Sequence, residues 1–380
     1  MNDFPFGAAI RHEWDLDPAV AYLNHGSFGV TPRTVLAAQA AWRHKIERNP
    51  ATFMAAARAG LLREAAAPVA AYLGAKGDDL AFMENATSAA NAVLRSLAFA
   101  PGDEILITSL GYRAVNHAAA YVGARAGATV VEVKIPLPTG GPDDIVAAVT
   151  QKLSPKTRLA VFDHIASQSA IVLPIARLVA AAHAVGAQVL VDGAHVPGQL
   201  MLDIPALGAD YYVANLHKWL LVPRDCAIVW APRERQEGLH PLTISHGYGQ
   251  GFLAEFDWTG TRDLSGWLCA PEGIAAHRRL GGERLMERNR ALARDMAAML
   301  AHRWGTGLAA PPDMFAAMAV VRLPDSPRDH LEVTDWLRKT HRIEAPVYRI
   351  DGALWVRIAA QAYNEPADYE RLAVAIESGL

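Results

Sequence analysis

The chain contains very little cysteine. Cys226 and Cys269 are the only two thiols among 380 residues. Two cysteines cannot build a disulfide framework, and these form neither a CxxC pair nor a cysteine-rich zinc site. We therefore expect a reducing compartment and predict no metal ligands.

The sequence also lacks an excess of charge of either sign. Lys and Arg together number 36 and Asp and Glu 39, a formal net charge of −3. Nucleic-acid binding normally requires a basic patch and a high isoelectric point. The composition therefore gives no indication of a nucleic-acid or membrane-surface partner.

Long hydrophobic runs are missing as well. The first 18 residues do not show the charged and apolar segments of a signal peptide. No apolar run reaches the roughly 18–20 residues that a membrane-spanning helix needs. The hydrophobic share is nevertheless 52%, which excludes extensive disorder. These features predict a soluble, cytoplasmic protein.

Short apolar runs alternate with helical patterns in the first two thirds of the chain. This alternation predicts a parallel sheet covered on both faces, and such sheets bind ligands at the carboxyl ends of their strands. The predicted strands span residues 104–108, 129–133, 158–162, 188–191, 211–214 and 227–230, with helices at 88–98 and 175–185 among them.

The rhythm changes after about residue 265, where a smaller α+β unit is predicted. Residues 239–266 are rich in glycine and predict a long functional loop rather than a linker. The predicted elements of the α+β unit are helices at 273–304, 330–340 and 366–378 and strands at 315–323, 342–350 and 354–358.

A carboxylate and a histidine follow one predicted strand. Asp192 ends the apolar run 188–192, and His195 comes three residues later. An ionised carboxylate at this place can hold a proton on a heterocyclic nitrogen. The alternative is that Asp192 caps the next turn and His195 is a core or surface histidine with its hydrogen bonds satisfied.

A lysine in apolar surroundings follows the next strand. Lys218 is flanked by Leu216, Trp219 and Leu220. Desolvation lowers the pKa of a lysine, which favours a nucleophilic amine able to form a Schiff base. The alternative is a lysine that lays its stem on apolar surface and extends its amine into water.

Polar residues also stand at the start of an apolar helix, in the segment 83–91. Free backbone N–H groups and the Thr87 hydroxyl could cradle a phosphate there, although an ordinary helix cap would look the same. The chain contains no GxxxxGK[ST] and no clean GxGxxG motif. An anion cradle, a carboxylate and an apolar lysine, in this order, are together what pyridoxal 5′-phosphate (PLP) requires.

The sequence resembles the class V aminotransferase group of fold-type I PLP enzymes, and more narrowly its isopenicillin N epimerase-like branch. The resemblance rests on several motifs that follow one another in the same order along the chain. The resemblance covers about residues 22–369. The motifs are YLNHGSFGVTP (22–32), ENATSAAN (84–91), DHIASQSAIVLP (163–174), VDGAHVPG (191–198), NLHKWL (215–220), FDWTGTRD (256–263) and RIAAQAYN (357–364).

The resemblance implies a role for each of several residues. Lys218 would form the Schiff base, Asp192 would bond the pyridinium nitrogen and His195 the ring 3-oxygen. Tyr112 would stack on the ring, where many relatives carry histidine, and these four residues would be catalytic. The remaining cofactor contacts would be Ala86, Thr87, Ser167, Asn215 and His217, with the phosphate held by Ala86, Thr87, Asn215 and His217.

The resemblance also implies substrate contacts and a dimer. Arg357 would pair with the substrate carboxylate, and Asn24 and His25 would line the same pocket. An arginine on a strand could instead belong to a solvated face. Thr261 would reach the cofactor phosphate of the partner subunit, so a homodimer is expected.

The fold implied is α/β, with a mostly parallel, seven-stranded-type central sheet in a large PLP-binding domain. We predict that this domain spans residues 21–264. A smaller α+β domain would combine residues 1–20 with 265–380.

The implied activity is PLP chemistry at Cα of an L-amino acid. We expect β-elimination from a cysteine-derived substrate, with epimerisation, transamination and a catalytically silent binding protein as alternatives. Sulfur transfer to an enzyme cysteine is disfavoured, because Cys226 and Cys269 lie in apolar stretches typical of inert core thiols. The sequence departs from the branch at residues 166–169 and 221–226, near the cofactor, so substrate choice could differ.

Overall fold

Strands and helices alternate through most of the chain. The structure is a computed structural model that describes residues 6–380, so the first five residues of the predicted small domain lie outside the described residues. The strands are β1 Ala21–Tyr22, β2 Leu80–Met83, β3 Glu104–Thr108, β4 Thr129–Val133, β5 Thr157–Asp163, β6 Gln188–Asp192, β7 Tyr211–Asn215, β8 Ala227–Trp230, β9 Met318–Arg322, β10 Ile343–Glu344, β11 Val347–Ile350 and β12 Ala353–Ala359.

The α-helices connect these strands and end the chain. They are α1 Arg33–Glu47, α2 Pro50–Thr52, α3 Arg58–Tyr72, α4 Ala86–Ser96, α5 Arg113–Ala126, α6 Pro142–Lys152, α7 Ile175–Ala184, α8 Phe252–Phe256, α9 Ser265–Leu268, α10 Ala270–Arg279, α11 Glu283–Trp304, α12 His330–His341 and α13 Pro366–Gly379. A π-helix, Phe53–Ala57, joins α2 to α3. None of the helices within residues 6–380 combines the length and the apolar character needed to cross a membrane.

Seven strands form the central sheet in the order β2-β8-β7-β6-β5-β3-β4. All neighbours are parallel except β8, which runs antiparallel to both β2 and β7. The prediction of a mostly parallel, seven-stranded sheet in an α/β fold is therefore confirmed. The carboxyl ends of β5, β6 and β7 meet at one edge.

Both faces of the sheet are buried. Along β2, Leu80 and Phe82 join one apolar core and Ala81 and Met83 the other, as expected because side chains alternate across a strand. Helices α4 and α5 cover the second face, and α3, α6 and α7 cover the first.

A second, antiparallel sheet of order β11-β12-β9 lies in the C-terminal part of the chain. The short strand β1 pairs in parallel with β10, with Ala21 opposite Ile343. Residues at the predicted domain boundary therefore hydrogen-bond to the C-terminal unit. The boundaries themselves stay a prediction.

The sequence-based boundaries fail where the backbone turns sharply. The predicted helix 273–304 is two helices, because Gly281 and Gly282 take positive φ angles of 117° and 56°. The predicted strand 342–350 begins one residue late, after Arg342 in the left-handed region, and is interrupted at residues 345–346. Strand β2 was not predicted, and the loop predicted at 239–266 contains the short helix α8.

Candidate active site

A cavity of about 670 Å³ opens at the carboxyl ends of β5, β6 and β7, beside the first turns of α4 and α5. Nine of the thirteen predicted site residues line it: Ala86, Thr87, Tyr112, Ser167, Asp192, His195, Asn215, His217 and Lys218. The other four lie outside its lining: Asn24, His25, Thr261 and Arg357.

Lys218 lies in the turn after β7. Its Nζ is 3.2 Å from Nε2 of His195, so the amine points into the site rather than out to water. Burial lowers the pKa of Lys218 to about 8, partly offset by the nearby Asp192 carboxylate. Gly29 passes so close that a Cβ there would lie 2.6 Å from the Lys218 Cα, which leaves room only for glycine.

Asp192 ends β6 and His195 follows three residues later; both line the cavity and are almost fully buried. One Asp192 oxygen accepts the N–H of Ala194 at 2.9 Å. Burial raises the pKa of Asp192 and lowers that of His195 well below its usual range, with further lowering from Lys218. His195 is therefore a neutral ring, and its Nδ1 has no hydrogen-bond partner within residues 6–380.

The first turn of α4 has unused hydrogen-bonding capacity. Asn85 caps the helix by accepting the Ser88 N–H at 2.8 Å, and the Ala86 N–H donates to Oδ1 of Asn215 at 2.8 Å. Thr87 is the second helical residue, so its N–H has no partner inside the helix. An anion at this turn would also gain from the helix dipole.

His217 lies on the same side of the cavity. Its Nδ1–H donates to the Cys226 carbonyl at 2.9 Å, which leaves Nε2 as the free ring nitrogen. Burial, followed by the charge of Lys218, lowers the pKa of His217 to about 4. A bound dianion would favour the protonated ring, whose Nε2–H could then donate to it.

Asp163 is a site residue that the sequence reasoning missed. It ends β5, lines the cavity and is almost fully buried. One of its oxygens accepts the N–H of Tyr112 at 3.1 Å, so it fixes the residue that immediately precedes α5. The signal was available, because Asp163 ends an apolar strand as Asp192 does.

Arg357 lies on β12 and is completely buried, which excludes the alternative of a solvated face. Its guanidinium donates to the Asn24 Oδ1 at 3.0 Å, to the Ser27 hydroxyl at 2.5 Å and to the Ser167 carbonyl. Within residues 6–380, the acceptors of its hydrogen bonds are all neutral oxygens, and its buried Nε has no partner. Ser27 and Ser167 separate it from the cavity that they line.

His25 and Asn24 act from behind the cavity wall. The His25 Nε2–H donates to the Lys218 carbonyl at 3.0 Å, and its Nδ1 accepts the Tyr363 hydroxyl at 2.8 Å. Burial lowers the pKa of His25 to about 4, so the ring is neutral. His25 thus positions the backbone of Lys218, and Asn24 orients Arg357.

Thr261 is exposed and does not reach the cavity of its own chain. The next residue, Arg262, binds Glu84 and also Asp225, the latter at 3.0 Å. Both carboxylates line the cavity. Arg262 therefore ties the segment that carries Thr261 to the rim of the site.

The residues present fit PLP. A helix terminus with a free Thr87 N–H suits a phosphate, and the buried Asp192 suits a protonated ring nitrogen. The amine of Lys218 has a lowered pKa, as a group that must react with an aldehyde requires. The three groups line one cavity.

Comparisons with known proteins place this chain in a family and identify relatives. The sequence profile of the Aminotransferase class-V family matches residues 22–322. A putative L-cysteine desulfhydrase 1 of Oryza sativa subsp. japonica is 36% identical, over 97% of this chain and 85% of its own length. An isopenicillin N epimerase of Amycolatopsis lactamdurans is 34% identical, over 97% of this chain and 98% of its own.

Solved structures share the fold at low identity. The cystine C–S lyase C-DES superposes with a TM-score of 0.81 at 21% identity, over 94% of this chain and 97% of its own. A cysteine desulfurase from Thermococcus onnurineus NA1 superposes with a TM-score of 0.85 at 19% identity, over 100% of this chain and 99% of its own.

Proposed function

Because this chain belongs to the class V aminotransferase family of PLP-dependent enzymes, we propose that it is a C–S lyase. Its substrate would be cysteine or a cysteine-derived L-amino acid, from which it removes the Cβ sulfur by elimination. Support comes from relatives named L-cysteine desulfhydrase, including one of Arabidopsis thaliana that is 33% identical over 97% of this chain.

The observation that carries the proposal is the amine of Lys218. Its lowered pKa of about 8 leaves a usable fraction of neutral amine near neutral pH, which suits a base that removes a proton from Cα. When bound, PLP supplies an electron sink for Cα of an attached amino acid. Thr87 would hold its phosphate together with Ala86, whose N–H would have to leave the Asn215 Oδ1 to take part. Asp192 would hold its ring nitrogen, and Tyr112 would cover its ring.

Arg357 would select an α-carboxylate. Its charge is met only by neutral acceptors in the described chain, and a planar guanidinium can bind a carboxylate through two parallel hydrogen bonds. Ser27 and Ser167 would have to shift or share their bonds for direct contact.

The two cysteines favour release of sulfur over its capture by the enzyme. Cys226 and Cys269 are both fully buried. Burial raises the pKa of Cys226 well above its usual range and that of Cys269 to about 12. Neither thiol is therefore a nucleophile for a substrate sulfur.

Epimerisation is the second candidate. It is favoured by two relatives named isopenicillin N epimerase, at 34% and 32% identity. An epimerase would return the Cα proton to the opposite face instead of expelling a Cβ substituent. Transamination ranks third, and Lys218 argues against a silent binding protein.

We further propose a cytoplasmic homodimer in which Thr261 reaches the partner's cofactor phosphate. Leu242, Ile244 and Tyr248 are large exposed apolar residues on the segment that leads to Thr261. Apolar groups of this kind often mark an interface, and two-fold pairing is the most frequent closed symmetry. Sedimentation of a fully active monomer would contradict the dimer.

The decisive experiment supplies the purified protein with PLP and L-cysteine. Elimination of cysteine, with water, yields sulfide, pyruvate and ammonia in equal amounts, and Lys218→Ala should abolish all three. Loss of L-cysteine with formation of its D-enantiomer, without sulfide, would instead establish the epimerase.

A further inference from the structure

The mouth of the cavity carries a cation that has no acidic partner. Besides neutral histidines, Lys218 and Arg224 are the basic side chains among the described residues that line the cavity. Lys218 is buried and is assigned to the cofactor. Arg224 is exposed, and within residues 6–380 it forms no hydrogen bond and no ion pair. Its guanidinium is therefore free to meet a ligand.

The acidic residues at the rim of the cavity are already paired with another arginine. Glu84 and Asp225 both line the cavity. Arg262 binds both carboxylates, with a distance of 3.0 Å to Asp225. Although Asp225 is the next residue after Arg224, its charge is thus directed to Arg262. The rim keeps one uncompensated positive charge, at Arg224.

The loop that carries Arg224 is fixed on both sides of this residue. Before it, the Val222 N–H donates to the Leu216 carbonyl at 3.3 Å. After it, the Asp225 carbonyl accepts the indole N–H of Trp267 at 3.0 Å. A fixed backbone lowers the entropy cost of holding a ligand. The loop therefore presents an unpaired side chain from a rigid support.

Arg224 and Arg357 lie on the same side of the cavity. Burial raises the pKa of Tyr22 to about 12, and the charges of Arg224 and Arg357 oppose the rise. The Tyr22 hydroxyl donates to the Phe28 carbonyl at 2.7 Å. Phe28 lines the cavity and is 63% exposed. The segment around Tyr22 thus brings a buried arginine, an aromatic ring and a free arginine to one wall.

The cofactor phosphate is the other anion that Arg224 could meet. The charge of Arg224 reaches His217, although burial and Lys218 lower the pKa of that ring more strongly. The proposed phosphate site already offers the Thr87 N–H at a helix terminus and the His217 ring. Because Arg224 also acts on Tyr22, on the side of the substrate arginine, an acidic group of the substrate is the better match.

We propose that Arg224 is a specificity-determining residue that binds a second acidic group, at the far end of the substrate side chain. Arg357 would hold the α-carboxylate, and Phe28 would cover the aliphatic part between the two charges. The favoured substrates would be cysteine derivatives with a carboxylate beyond the sulfur. This inference rests on the proposed function and names its substrate class. Arg224 also belongs to the segment 221–226, where the sequence departs from the branch it resembles.

A pair of substrates that differ in one charge tests the proposal. S-carboxymethyl-L-cysteine carries the distal carboxylate, and its carboxamide is the neutral counterpart. Elimination removes the Cα proton and breaks the Cβ–S bond, whose electron pair leaves with sulfur. With one water, the acid yields thioglycolate, pyruvate and ammonia. We expect kcat/KM to favour the acid about fivefold, mostly through KM, which is the effect of a partly exposed ion pair.

Substitution of Arg224 should act on this preference alone. Arg224→Gln should abolish it and Arg224→Glu should reverse it, while turnover of L-cysteine stays close to the native value. Arg233→Gln is the matched control, because Arg233 is exposed, follows the far end of β8 and lies outside the cavity lining. This variant should keep the native preference.

Binding without reaction gives a second readout. Glutarate and its monoamide lack an amine, so calorimetry on the PLP-loaded protein measures recognition alone. We expect native protein to bind glutarate about fivefold more tightly than the monoamide, and the difference should shrink at high salt. Arg224→Gln should bind both equally.

Two results would overturn the proposal. One is a native protein that eliminates L-cysteine but prefers neither member of either pair. The other is an Arg224→Gln variant that keeps the preference for the acid, and weaker PLP binding in that variant would then assign Arg224 to the cofactor phosphate. If the native protein releases no sulfide from L-cysteine, yet Arg224→Gln loses the preference for glutarate, the proposed function fails and this assignment stands.

Discussion

Two arginines close to the cavity have opposite surroundings. Arg262 is paired with two carboxylates, Glu84 and Asp225, and stacks its guanidinium 4.4 Å from the Trp267 ring centroid. Arg357 is more deeply buried, yet its hydrogen bonds go only to neutral oxygens of the described residues. Its Nε has no hydrogen-bond partner among those residues, and its guanidinium carbon lies 5.7 Å from the Tyr348 ring centroid. An unpaired buried charge is costly.

The difference indicates two uses of one side chain. Arg262 is neutralised within its own chain and fastens a loop to the rim. Arg357 keeps an uncompensated charge beside the cavity, as expected of a group that meets an anionic ligand. Removing each arginine in turn is the simplest way to test this contrast.

The largest effect should follow Arg357→Ala. We expect kcat/KM for an amino-acid substrate to fall by about 100-fold, mostly through KM, because hydrogen bonds to charged groups contribute about 1.5–3 kcal/mol. The absorbance of bound PLP should persist. The matched control, Arg262→Ala, should change KM little.

The native and Arg357→Ala proteins should differ in their preference for amino acids over the corresponding decarboxylated amines. If both proteins turn over the two kinds of substrate equally well, Arg357 does not bind the substrate carboxylate. Loss of PLP from the variant would contradict it as well.

A smaller effect is expected from Arg357→Lys. The charge remains, but an ammonium cannot reproduce the planar, two-pronged contact. We expect kcat/KM to recover only partly, to about a tenth of the native value. Steady-state kinetics on one substrate series measures this recovery. Full recovery would show that a positive charge alone suffices to bind the substrate carboxylate.

The pH dependence of cofactor attachment should also separate the two arginines. Only neutral Lys218 can attack an aldehyde. The rate of PLP incorporation into the cofactor-free protein should therefore rise with pH and reach half of its maximum near pH 8. Burial is the main cause of the low pKa of Lys218, and the Asp192 carboxylate opposes it. The positive charge of Arg357 lowers this pKa further. Its removal should therefore move the midpoint upward.

Stopped-flow absorbance across pH measures this midpoint. Arg262→Ala should leave it in place. A native midpoint close to that of an ordinary lysine would show that the amine is not desolvated.

The smallest effect is the stability change in Arg262→Ala. Its ion pairs are partly exposed, with side-chain accessibilities of 18% for Arg262, 32% for Glu84 and 60% for Asp225. Pairs of this kind contribute about 1 kcal/mol or less. Urea unfolding of the variant should show a loss of that size in the free energy of unfolding, and the loss should shrink at high salt. A much larger loss would show that Arg262 is needed for the stability of the fold.

Local pattern was enough to predict much of the fold. Strands β3, β4 and β8 have the predicted bounds, because continuous apolar runs between turn residues are distinctive. Strand β2 escaped prediction because four apolar residues beside helical sequence carry no periodicity of their own. The break at Gly281 and Gly282 depends on backbone angles that an otherwise helical pattern conceals.

From the residues alone, the site was predictable where a strand end carries its own signal, whereas Tyr112 and Ser167 were expected only from the family resemblance. Lys218 and Asp192 follow apolar strands and line the cavity. The contacts of Arg357 with Asn24 and Ser27 join residues more than 300 positions apart, and no local pattern contains that information. His25 likewise touches the Lys218 carbonyl from far along the chain.

We propose above all that Lys218 holds the cofactor of a PLP-dependent lyase. Borohydride reduction of the PLP-loaded protein, followed by peptide mapping, tests it most directly. We predict a single stable pyridoxyl label on Lys218, prevented in Lys218→Ala. A label on Lys45, Lys134 or Lys152 instead, with Lys218 unmodified, would contradict the account.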